Sequence, residues 1–118
     1  MIRYHRILPF AAAAALAASL AACVVTPPAQ QAGPSPHQMG VERLHQVDGR
    51  IDNLGHRIDV HVSQGYYPPP QGGALHHRLD TIRGEAHDMA AQHGGALTAD
   101  EHHVLSQELD QASRAIGS

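Results

Sequence analysis

Residues 43–59 read Arg43-Leu44-His45-Gln46-Val47-Asp48-Gly49-Arg50-Ile51-Asp52-Asn53-Leu54-Gly55-His56-Arg57-Ile58-Asp59. Leu44, Val47, Ile51, Leu54 and Ile58 recur at alternating steps of three and four, the spacing that lines up side chains on one face of an α-helix. A seven-residue repeat is laid over this seam. Its copies are Arg43-Leu44-His45, Arg50-Ile51-Asp52 and Arg57-Ile58-Asp59. The arginines fall on one flank of the apolar stripe; His45, Asp48, Asp52, His56 and Asp59 fall on the other, a coiled-coil-like arrangement. The pattern predicts a first amphipathic helix over about 39–62.

Downstream, Gln64 to Gly73 carries three successive prolines and flanking glycines, which interrupt a helix because proline lacks the amide donor. A second seam follows at Leu75, Leu79, Ile82, Ala86 and Met89, with Arg78-Leu79-Asp80 echoing the earlier triplet. It predicts a helix over about 74–93, closed by Gly94-Gly95. Thr98 and Glu101 then have the spacing of a capping box, each side chain satisfying a backbone amide. Leu105, Leu109, Ala112 and Ile116 extend a third stripe over 98–116. An all-α domain of three amphipathic helices over residues 39–118 is expected, with the second and third as an antiparallel hairpin. The first packs on that hairpin or on another copy. Gly49, Gly55 and Gly84 lie inside these helices but off the apolar seams, each costing about 1 kcal/mol relative to alanine.

Upstream of the helices, Met1 to Arg6 carries two arginines and is followed by a 16-residue apolar stretch, Ile7 to Ala22. At about 1.5 Å per residue that stretch is shorter than a ~30 Å hydrocarbon core. Charged start and short apolar run together have the form of a signal peptide over 1–22. The stretch ends in Leu20-Ala21-Ala22-Cys23, which resembles the lipobox of bacterial lipoproteins. The resemblance implies cleavage before Cys23, lipidation of that cysteine and a membrane partner reached through the lipid. With Val24 rather than aspartate after the cysteine, it also implies the outer membrane, facing the periplasm, in a Gram-negative host. Residues 23–38 are rich in proline and glutamine and are expected to form a disordered tether.

Cleavage would leave 96 residues, one small domain at most. All eleven Asp and Glu lie beyond Cys23, against six arginines, since Arg3 and Arg6 fall in the leader and lysine is absent. This acidic balance speaks against nucleic acid as a partner. Cys23 is the single cysteine, so neither a disulfide framework nor a thiolate metal site is available. Catalytic signatures are missing too: no phosphate-cradling loop, no lysine and no free thiol nucleophile. A non-enzymatic envelope module is the leading expectation, meeting other proteins or itself through its aliphatic seams.

Histidine is the group in excess, eleven in all and ten beyond the leader. Adjacent pairs such as His76-His77 and His102-His103 point about 100° apart and do not chelate one ion. Pairs one turn apart do better: Asp52 with His56, and His76 with Asp80. A hairpin that gathered His76, Asp80 or His87 with His102 or His103 would supply the ligands preferred by Zn, Ni or Cu. A His-rich periplasmic metal-binding or buffering protein is therefore the second expectation. Gly94 to Glu101 has the outline of half a calcium loop, but Ala90, Gln92 and Gly94 stand where oxygen ligands belong. Leu97-Thr98-Ala99-Asp100-Glu101 resembles the LTxxQ motif of helical Spy/CpxP-like periplasmic proteins, with glutamate in place of glutamine. That resemblance implies a helical hairpin acting as an envelope-stress chaperone.

Overall fold

The computed structural model describes residues 33–118, which form three helices: α1 (Pro36–Ser63), α2 (Pro69–Ala91) and α3 (Ala99–Ile116). The leader and tether expected from the sequence fall, with Cys23 and up to residue 32, outside the described residues. The all-α architecture predicted from the three seams is the one observed, and α1 packs on the hairpin of α2 and α3. None of the described helices is long and apolar enough to cross a membrane.

The helices begin earlier than their seams do. At α1, the Ser35 hydroxyl accepts from the Gln38 amide at 3.1 Å, and the Gln38 side chain accepts from the Ser35 amide at 2.8 Å. This capping box, with Pro36 in the first turn where its missing donor costs nothing, starts the helix inside the stretch assigned to the tether. Proline acts the same way at α2. Pro68 is the extended N-cap residue, and Pro69 and Pro70 open the helix instead of separating it from its neighbour. Only α3 starts as its sequence predicts, with Thr98 and Glu101 capping each other's backbone amides at 3.1 and 2.9 Å.

The turns are closed by glycines with positive φ. After α1, Gly65 (φ 75°) lets the Tyr66 amide reach back to the His61 carbonyl at 2.9 Å and its own amide to Val62 at 3.1 Å. These two bonds make a Schellman motif, which reverses the chain without leaving carbonyls orphaned. After α2, the amide of Gly95 returns to Ala90 at 2.8 Å.

The predicted seams form a single core. Leu44, Val47, Ile51, Leu54 and Ile58 of α1 meet Leu79, Ile82, Ala86 and Ala90 of α2 and Leu105, Leu109, Ala112 and Ile116 of α3, all buried. Leu97, in the loop before α3, joins them; in α2 the buried position falls on Ala90, one residue beyond the predicted Met89, and Leu75 and Met89 pack at the margin. Each of the Leu, Ile and Val side chains contributes roughly 1.5–3 kcal/mol of transfer free energy, so the aliphatic core is the main source of stability.

Two close approaches seal the head of the bundle and the start of α2. A Cβ at Gly40 would lie 2.7 Å from the Ala96 methyl and 2.9 Å from the Leu97 carbonyl oxygen, and one at Gly72 would lie 2.5 Å from a Val62 methyl. At the first of these, the Leu97 amide donates to the Gly40 carbonyl at 3.0 Å, stitching the loop before α3 onto α1.

Candidate functional site

The flanks of α1 have separate partners. Its arginine flank faces α3: Arg43 donates to the Leu97 carbonyl (3.2 Å), Arg50 pairs with Asp110 and donates to Ser106, and Arg57 donates to Ser113 and Gly117 (both 3.3 Å). Partners ascend together, so α1 and α3 run parallel. Its acidic flank faces α2 in the opposite sense. Asp48 takes His87 at 3.0 Å, Asp52 takes Arg83, and Asp59 takes His76 at 2.7 Å. A helix with two differently charged edges therefore accepts one neighbour on each.

The acidic flank opens into a cleft of about 350 Å³ along the α1–α2 seam, bordered by Asp52, His56, Asp59, His76, Asp80 and Arg83. Both one-turn pairs recognised in the sequence, Asp52 with His56 and His76 with Asp80, line this one cleft. Gly55 lies between them. The His76 ring rests against it, with Cε1 3.5 Å and Nδ1 3.7 Å from where a Cβ would stand. His76 Nε2–H donates to the Asp59 carboxylate, an arrangement that in the neutral imidazole puts the lone pair on Nδ1. Gly55 and Asp59 were not singled out for this role, because their relation to His76 crosses helices and becomes visible only once the register is known.

The remaining sequence-selected residues lie apart from this cleft. His87 is held by Asp48 on the α2 side of α1. His102 borders a separate groove of about 750 Å³ with Met39, Glu42, Arg43 and Gln46, and His103 contacts Gln107 at 3.0 Å on its own helix. The hairpin thus does not bring His76, Asp80 or His87 together with His102 and His103. Among the described residues, no three His, Cys, Asp or Glu side chains already converge as a metal-ligand set.

Several groups have displaced proton affinities. Burial lowers the pKa of His102, with further repulsion from Arg43 and His103. The Thr98 amide holds the Glu101 carboxyl below its ordinary value, helped by His93, which contacts Glu101 at 2.9 Å. On the α2–α3 face, burial raises Glu108, and the hydrogen bond it shares with Glu85 adds to that. Asp110 is lowered by its hydrogen bond from Arg50.

His61 was not selected from the sequence, although it continues the α1 seam three residues after Ile58. It is buried at the far end of the bundle, its Nδ1–H donating to the Ile116 carbonyl at 3.1 Å, with Tyr66 and Tyr67 packed against the ring. Leu97, Thr98 and Glu101, on which the LTxxQ resemblance rests, are fully occupied by the core and the α3 cap.

These features define a small three-helix bundle with a polar, histidine-bearing cleft. No family model matches the chain, and no curated protein or solved structure is significantly similar to it.

Proposed function

We propose that the chain is a lipid-anchored envelope protein whose helical part is a non-catalytic, self-contained module, meeting its surroundings through its polar surface. The supporting observation is that the apolar seams are spent inside the chain. Every α1 seam residue from Leu44 to Ile58 is buried, and the exposed large hydrophobics among the described residues are Met39, Tyr66 and Val104, one on each of two helices and one in a loop. Isolated apolar side chains of this kind do not make a docking patch. Aliphatic seams therefore do not support self-association, and what the module offers a partner is carboxylate, guanidinium and imidazole.

The anchor rests on Leu20-Ala21-Ala22-Cys23 after a short apolar run. Several acyl chains, each methylene contributing about 0.8 kcal/mol on burial, would hold such a module permanently at a membrane. The test is metabolic labelling with a palmitate analogue, paired with sedimentation of the unlipidated Cys23→Ser chain. Label on the parent and none on the variant, with a monomeric variant at every concentration, is the expected outcome. An unlabelled parent removes the anchor; a concentration-dependent dimer removes the self-contained module.

A further inference from the structure

We infer that the α1–α2 cleft is an exchangeable site for a divalent transition-metal ion of the zinc, nickel and copper class, with His76 Nδ1 as its fixed ligand and Asp80 and His56 completing it. Metal-bound histidines characteristically use one ring nitrogen for the ion and donate the other to a carboxylate, which sets the tautomer and strengthens the ligand. His76 has the matching arrangement: Nε2 is engaged by Asp59 at 2.7 Å, and Nδ1 lies beside the gap over Gly55. Asp80 is one turn on from His76 along α2, while His56 lies across the cleft on α1.

The charge balance permits a cation. Arg83 is the opposing group at the rim, and it is tied to Asp52, with Asp48 4.0 Å away. That leaves Asp59 and Asp80 uncompensated by any arginine bordering the cleft. Two imidazoles with carboxylate favour borderline transition metals over calcium or magnesium, which take all-oxygen sets. His56 and Asp80 are exposed, so their rotamers are free to turn inward. His56 and Asp80 would be drawn in from the exposed rim of the cleft, so the set closes around the ion. Such a site loads and unloads; it does not hold a permanent structural metal.

The experiment is calorimetric titration of the unlipidated full-length protein with Zn²⁺ alone in a non-coordinating buffer, with circular dichroism of each variant. One saturable site is expected in the parent. His56→Gln/His76→Gln and Asp80→Asn should each weaken it at least about tenfold, the scale on which ligand-sphere losses act. His77→Gln/His103→Gln, which removes two imidazoles outside the cleft, should leave it within about twofold on the same scale. Gly55→Leu is the sharpest variant, because it keeps every charge and imidazole and covers Nδ1 with a side chain; it should abolish the site while α1 stays helical. If the cleft variants bind like the parent, if the outside pair costs as much as the cleft pair, or if Gly55→Leu binds normally, the assignment is overturned. Should the double variant unfold, Gly55→Leu and Asp80→Asn decide alone.

Discussion

A single methyl group distinguishes two kinds of glycine in this chain. At Gly40 it would collide with the Ala96 methyl and the Leu97 backbone oxygen, and backbone cannot swing aside as a side-chain tip can. Gly40→Ala should therefore destabilise the bundle by about 1–3 kcal/mol, the range for overpacking. At Gly49 and Gly84 the same methyl meets nothing within 4 Å, so Gly49→Ala and Gly84→Ala should each stabilise by up to about 1 kcal/mol through helix propensity. Urea unfolding of the three variants checks both signs, and a neutral Gly40→Ala would show that the loop before α3 yields. His102 gives a second residue-scale prediction. Its folded pKa lies below the 6.5 of the free side chain, so the unfolded chain takes up the proton first and the protein loses stability as pH falls from about 6.5 toward the folded value. His102→Gln should flatten the decline in unfolding free energy between pH 7 and pH 5.5. An unchanged slope would mean that the imidazole titrates alike in both states.

Among the elements, α3 has the most complete start, since Thr98 and Glu101 satisfy each other's backbone and His93 steadies the carboxylate from the end of α2. Thr98→Ala should cost about 1 kcal/mol, as N-cap losses commonly do, read as a lowered urea midpoint with an unchanged slope. Loss of slope as well would instead indicate that α3 frays independently. The same local chemistry explains how legible the elements were. The seams at three-four spacing gave the core positions of α1 and α3 and the middle of α2, because burial in a bundle follows the period of the helix; at the end of α2 it is Ala90 that is buried, with Met89 at the margin. Both early starts were written in the sequence too, as Ser35 with Gln38 and as Pro69 after Pro68, but proline reads as a breaker until its place in the first turn is known. The cleft was half legible: its two one-turn pairs follow from helical spacing alone. Their meeting over Gly55, and the Asp59–His76 contact, depend on how far α2 is slid along α1, which no single helix encodes.

For the whole molecule, the two edges of α1 decide more than attraction. Exposed ion pairs are worth about 0–1 kcal/mol each, so they add little to a core of Leu, Ile and Ala. An aliphatic core of this kind is nearly symmetric, however, and three helices joined by short turns can close with the third on either side of the first two. One closing is the other's opposite hand. In the opposite hand each helix turns its other flank to α1, so the Arg50–Asp110 and Arg83–Asp52 rungs are lost and the acidic edge of α1 faces the α3 flank that carries Glu108. The seven-residue repeat that first marked the helix thus bears on chirality, since both edges of α1 find their rungs in the observed hand and lose them in its mirror arrangement.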